Sequence, residues 1–271
     1  MKVSRLMGAI CGDIVGSVYE FDPIKTKEFP LFSSLSEFTD DTVMTLAVAK
    51  ALTRSNAHED VEEFEKVLIE TMHEFGKRYP DQSYGGRFLH WLESGSVEPY
   101  NSCGNGSAMR VSAAGWYSRS LEETEVLAKA SAEVTHNHPD GVAGAVATAG
   151  AIYLARTGES KEVIREYVSR YYDLNFTLDE IRPDYDFEPC NDRTAPQSVV
   201  AFLESNSYED AIRNTISLGG DADTMGAITG AIAEAYYGIP EEIEETAMSY
   251  LDEFLLDVCD EFLLHVSKES V

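Results

Sequence analysis

An all-α fold in one domain is what this sequence predicts. Three observations lead there: apolar residues recur at three-to-four spacing along most of the chain, evenly spaced strands are absent, and no flexible linker divides it into separately cored halves. With 271 residues, 44% of them apolar, the chain can bury a sizeable core, and we assign residues 1–271 to a single domain.

The elements follow in order. Val3, Leu6, Met7, Ile10, Ile14, Val15 and Val18 mark a first amphipathic helix that ends before Pro23. Gly8, Gly12 and Gly16 align on it at i, i+4 and i+8. Each glycine costs about 1 kcal/mol of helix propensity, so the stripe predicts close approach of another helix. After a loop with Pro30 and several serines, Thr39-Asp40-Asp41-Thr42 precedes an alanine-rich helical run from Val43 to Ala49. Residues 59–78 read as an amphipathic helix with Val61, Phe64, Leu68, Met72 and Phe75 inward. Gly- and Ser-rich loops occupy about 80–86 and 94–107, and helices begin near Leu121 and Gly141, the second buried because Val142 to Leu154 is almost wholly apolar. Residues 173–195, with prolines and acids, read as a long surface excursion. Helical pattern resumes over Ser198–Leu203, Tyr208–Leu218 and Thr224–Tyr237. A final segment starts at Pro240, its first-turn glutamates favoured by the helix dipole, with Ile243, Ala247, Leu251, Leu255, Val258 and Phe262 on one face.

Asp and Glu outnumber Lys and Arg by 48 to 21, a formal charge of −27. Such a field repels phosphate backbones and anionic lipid, so no nucleic-acid or membrane partner is expected, whereas divalent cations are favoured. No run approaches the roughly 18 apolar residues of a membrane span. The N-terminal apolar stretch is interrupted by Gly8, Gly12, Asp13 and Gly16, unlike a signal peptide. Cys11, Cys103, Cys190 and Cys259 lie far apart without C-x-x-C spacing, so neither a zinc cluster nor a disulfide framework is expected, and a cytoplasmic setting suits them.

Two acidic clusters, Thr39-Asp40-Asp41 and Asp221-Ala222-Asp223-Thr224, each stand at the entrance to a helix. Asp and Thr are preferred N-caps, so one such cluster is ordinary. Capping uses one oxygen, however, and does not require two carboxylates side by side. A second cluster of the same chemistry beside Gly219-Gly220 points to a cation between them. The donors are all oxygen, which suits Mg²⁺, Mn²⁺ or Ca²⁺ over zinc. Glu20, at the end of the glycine-striped helix, is a surface charge or a carboxylate reaching the same site as ligand or general acid/base. Ser102-Cys103-Gly104-Asn105-Gly106-Ser107-Ala108-Met109-Arg110 is a Gly-rich loop entering a helix; it is a plain turn or a cradle of backbone N–H groups for a phosphate. Arg110 has no role assigned. Thr135-His136-Asn137-His138 precedes the apolar helix, where a histidine caps and packs or donates to a ligand oxygen.

Together these stretches resemble the ADP-ribosylglycohydrolase family. The matching motifs are Gly8-Ala9-Ile10-Cys11-Gly12-Asp13-Ile14-Val15-Gly16 with Glu20, Phe38-Thr39-Asp40-Asp41-Thr42, Gly104 through Arg110, Thr135-His136, and Ser217-Leu218-Gly219-Gly220 through Thr224. The resemblance implies a compact orthogonal helical bundle with two Mg²⁺ (or Mn²⁺) ions in a central cleft. It implies Thr39, Asp40, Asp41, Asp221, Asp223 and Thr224 as metal ligands, and Glu20, Asp40 and Asp41 as catalytic residues. Gly104, Asn105, Gly106, Ser107 and His136 become the ADP-ribose contacts. The implied reaction is hydrolysis of the bond between ADP-ribose and an acceptor, a protein side chain such as arginine or serine or a small conjugate. Two rivals are a binding relative without turnover and a helical phosphohydrolase of nucleotide diphosphates. The first is disfavoured by intact carboxylates, the second by the lack of an adjacent His-Asp pair.

Overall fold

A computed structural model describes residues 5–268. Among these residues the fold is helical, the sole β pairing being an isolated antiparallel bridge between Gly104 and Cys190. In chain order the helices are α1 (Met7–Gly16), α2 (Asp40–Arg54), α3 (Val61–Arg78), α4 (Gly86–Ser94), α5 (Gly106–Met109), α6 (Ser112–Tyr117), α7 (Leu121–Glu133) and α8 (Pro139–Arg156). They continue as α9 (Lys161–Val168), α10 (Leu178–Ile181), α11 (Ala195–Leu203), α12 (Tyr208–Ile216), α13 (Ala222–Tyr237), α14 (Glu241–Met248) and α15 (Glu253–Lys268). Side-chain caps start many of them: Asp60, Ser120, Ser160 and Ser207 each accept from a backbone N–H in the first turn of the following helix.

The centre of the molecule is the pair α1 and α13, both buried almost throughout. Here the glycine stripe acts as expected. A β-carbon on Gly12 would lie 1.9 Å from the Gly226 carbonyl oxygen, one on Gly16 2.3 Å from that of Ala222, and one on Gly8 2.4 Å from that of Gly230. The helices therefore run antiparallel with backbone against backbone. Glu234 on α13 is buried and accepts the Gly8 N–H at 2.8 Å, closing the N-terminal end of α1. Apolar α8 is buried, as its sequence predicts, and packs onto α13 and α7.

Several expectations change. The first helix is shorter than the apolar pattern: Val18 lies beyond its end, Val3 lies outside the described residues, and Glu20 sits in the following bend. The C-terminal segment is two helices, because α14 stops at Ser249 and the Asp252 carboxylate caps α15 by accepting the Leu255 N–H at 3.0 Å. Helix α4 lies between the two Gly-rich loops and ends on Gly95, whose φ of 67° is the left-handed conformation glycine tolerates. Residues 173–195 are more than a surface excursion, since Leu178, Tyr185, Asn191 and Thr194 are buried. That segment is also tied down covalently. Cys103 and Cys190 form a disulfide across 87 residues of sequence, where their spacing offered no reason to expect a pair. Separation along the chain said nothing about distance in space. No described helix is long and apolar enough to cross a membrane.

Candidate active site

The tight α1–α13 pairing places Asp13, one turn before the end of α1, against the start of α13, where Asp221, Asp223 and Thr224 stand. The N-terminus of α2 completes the junction. Asp13 accepts from the Thr39 N–H at 2.9 Å, the Thr39 hydroxyl at 2.7 Å, the Thr42 N–H at 3.1 Å and the Thr42 hydroxyl. It thereby fixes the first turn of α2, which carries Asp40 and Asp41. Thr39 also caps α2, accepting from the Asp41 N–H. Across the gap the Thr224 hydroxyl donates to Asp41 at 3.2 Å, while the other Asp41 oxygen is buried with no partner. Asp221 accepts from the Asn105 amide at 2.7 Å.

Carboxylate oxygens gather into two overlapping sets. Those of Asp13, Asp41 and Asp223 lie within 4.8 Å of one another, as do those of Glu20, Asp221 and Asp223. Asp223 belongs to both. Burial is the leading cause that lifts these groups, reinforced at most of them by neighbouring carboxylates: Asp40, Asp41 and Asp223 are held well above the carboxylate range, and Asp221 is raised. Asp13 is lifted by burial to about 6 in spite of its four hydrogen bonds, and burial with Asp223 nearby brings Glu20 to about 8. Without a counterion such a cluster retains protons. An unpartnered buried oxygen and an all-oxygen donor set fit a hard divalent cation.

Above the cluster opens a cavity of about 290 Å³. Glu20, Asp40, Asp41, Asp221, Asp223 and Thr224 form its acidic end. Gly104, Asn105 and Gly106 line another wall, packed flat on His136: a β-carbon on Gly106 would be 3.1 Å from its Nε2, one on Gly104 3.3 Å. The His136 Nδ1 pairs with the Thr135 hydroxyl at 2.8 Å, and burial together with the Arg110 and Arg87 charges keeps the ring neutral. Arg110 is a strut, fully buried and donating to the Ser131 carbonyl and the Thr135 hydroxyl. The 173–195 segment enters through Phe187 and Pro189, whose carbonyl accepts the Asn105 N–H at 2.9 Å.

Most of the residues singled out in sequence thus come together. Two do not face the cavity: Thr39 lies behind it, and the Ser107 hydroxyl is directed to the Gly141 carbonyl at 2.6 Å, with Asn191 donating to it. Asp40 lines the cavity but belongs to neither carboxylate set. Sequence reasoning missed Asp13, Arg87, Tyr100 and Phe187. Asp13 had a signal, a lone carboxylate inside an apolar, glycine-striped helix.

Comparison with known proteins shows the family. The sequence pattern of the family described as ADP-ribosylglycohydrolase matches residues 3–270. The chain belongs to the ADP-ribosylglycohydrolase family, and with it to the hydrolases that act on ADP-ribosyl glycosidic bonds. It is 28% identical to the human protein named ADP-ribosylhydrolase ARH3, over 90% of this chain and 88% of that one. It is likewise 28% identical to the ADP-ribosyl-[dinitrogen reductase] glycohydrolase of Rhodospirillum rubrum, over 80% and 74%. A solved structure titled "ADP-ribosylglycohydrolase-related protein complex" shares the fold, with a TM-score of 0.70, 21% identity, and coverage of 97% of this chain and 95% of that one.

Proposed function

We propose that this chain is a divalent-metal-dependent hydrolase that releases ADP-ribose from an acceptor, either a protein side chain such as arginine or serine or a small conjugate. The observation that carries this reading is the pair of carboxylate sets sharing Asp223 at one end of a cavity whose other wall is a glycine loop on a neutral imidazole. Asp13, Asp41 and Asp223 would hold one cation and Glu20, Asp221 and Asp223 a second, with Mg²⁺ or Mn²⁺ suited to oxygen donors. Bound there, the ions supply Lewis acidity towards oxygen ligands.

The chain's own residues account for the rest. Loss of the acceptor leaves oxocarbenium character at the anomeric C1″ of the ribose, and water adds its oxygen there. Glu20 faces the acidic end of the cavity, where a carboxylate oxygen left uncommitted by a cation is placed to move a proton between water and leaving group. Neutral His136 offers no positive charge, but it packs against Gly104 and Gly106, two cavity-lining positions without side chains, and such a loop suits close approach of a diphosphate. Asn105 orients Asp221.

The test is release of ADP-ribose from a panel of defined linkages with and without Mg²⁺ and Mn²⁺, using wild type, Asp41→Ala and Asp223→Ala. We expect free ADP-ribose from wild type, dependent on metal and abolished in both variants. AMP plus ribose phosphate as product would indicate phosphoanhydride cleavage, and full activity of the variants in chelator would overturn the metal assignment.

A further inference from the structure

The cavity's charges are unevenly divided. Five carboxylates (Glu20, Asp40, Asp41, Asp221 and Asp223) line it, against two cations, Arg87 and Arg110. Arg110 is fully buried, anchored through one terminal nitrogen to the Ser131 carbonyl and the Thr135 hydroxyl, with its Nε enclosed and without a partner. Arg87 is different. It stands exposed at the cavity rim in the first turn of α4, preceded by Gly85 and Gly86, around which a β-carbon would meet nothing within 4 Å. Its guanidinium lies 4.9 Å from the centre of the Tyr100 ring and gives one N–H to the Tyr100 carbonyl. A ring face and one hydrogen bond hold the group in place while most of its five donors stay uncommitted. Its charge also acts on His136, the residue on which the glycine loop rests.

A chain of charge −27 repels anionic ligands over most of its surface, so an anion entering this cavity needs a local cation. We propose that Arg87 is the specificity residue that selects a diphosphate-bearing ligand over its uncharged nucleoside, by donating its free N–H groups to a phosphate held against the Gly104–Gly106 loop. This rests on the functional reading above. The planar guanidinium fits phosphate oxygens in a fork, and the Tyr100 ring and carbonyl hold it at the rim.

Titration calorimetry with ADP-ribose, ADP and adenosine at fixed free Mg²⁺ tests it, on wild type, Arg87→Ala and Arg87→Lys. Loss of a charge-assisted phosphate contact should weaken ADP-ribose and ADP by about ten- to a hundredfold in Arg87→Ala, with partial rescue in Arg87→Lys. Adenosine affinity should stay within about twofold, and the fall in ADP-ribose affinity with added salt should be steeper in wild type than in Arg87→Ala. Equal losses for adenosine and ADP-ribose would overturn the proposal, since Arg87 would then act only by supporting Tyr100. Unchanged ADP-ribose affinity with a raised KM for conjugates would also overturn it, assigning Arg87 to the acceptor. If wild type binds none of the three ligands, the underlying functional reading fails instead.

Discussion

Gly12→Ala adds one carbon at the tightest point of the molecule. Its β-carbon would start 1.9 Å from the Gly226 carbonyl oxygen, 2.3 Å from the carbonyl carbon and 2.9 Å from the Ala227 nitrogen. Ordinary carbon–oxygen contact is roughly 3.3 Å or more, so α1 and α13 must separate by about an ångström or the methyl must displace backbone. No rotamer change can relieve this, because every opposing atom is main chain. Overpacking costs about 1–3 kcal/mol and more where nothing yields, against a gain of about 1 kcal/mol in helix propensity. With every opposing atom main chain the cost lies at or above the top of that range, so we expect net destabilisation of about 2 kcal/mol or more, at roughly 2–4 °C of melting temperature per kcal/mol for a chain of this size. A second effect follows from geometry: Asp13 is the next residue on α1, and the same separation pulls it from Asp223. Urea unfolding of metal-free protein reads the first effect and Mn²⁺ calorimetry the second. A Gly12→Ala variant that is as stable as wild type, or more stable by the propensity gain, would refute the close-packing argument. Wild-type Mn²⁺ affinity in a destabilised variant would break the link from packing to site.

Asp13→Ala removes the acceptor of two N–H groups and two hydroxyls on Thr39 and Thr42. At about 1–3 kcal/mol for each buried group left unsatisfied, metal-free protein should lose several kcal/mol and Mn²⁺ binding should be lost; calorimetry and unfolding check both. pH dependence has a definite sign. The site carboxylates are raised in the folded state, so the fold binds more protons than the unfolded chain, and their contribution to stability falls as pH climbs from the ordinary carboxylate range through about 6 for Asp13 and about 8 for Glu20. Metal-free protein should therefore melt lower at pH 8.5 than at pH 5.5, measured by differential scanning fluorimetry. Saturating Mg²⁺ or Mn²⁺ should flatten that slope, because the ion binds the deprotonated carboxylates and its stabilisation grows as pH rises, reaching about 2.7 kcal/mol at a hundredfold excess over Kd. A metal-free melting temperature that rises with pH contradicts the picture. Gly106→Ala, with its β-carbon 3.1 Å from the His136 Nε2, should raise KM for ADP-ribose conjugates while leaving Mn²⁺ affinity near wild type; unchanged KM would remove the loop from the binding surface.

Local chemistry alone made much of this legible. Period and propensity depend on neighbours in sequence, so α3, α7 and α8 were readable within a few residues, and the i, i+4, i+8 glycines announced a backbone contact without naming the partner. The break between α14 and α15 was hidden because both halves carry the same apolar face, and only the Asp252 cap separates them. The acid pairs at the starts of α2 and α13 were visible as more charge than capping requires.

What sequence alone determined, then, was the kind of oxygen donors present and the helices that carry them, since both are properties of short stretches. Convergence was decided by tertiary structure. Asp13 and Asp223 are 210 positions apart, and they meet because Gly12 and Gly226 let two backbones touch. The Cys103–Cys190 bond and the turn of Phe187 and Pro189 into the cavity have the same origin, contacts across 87 residues or so that no local pattern encodes.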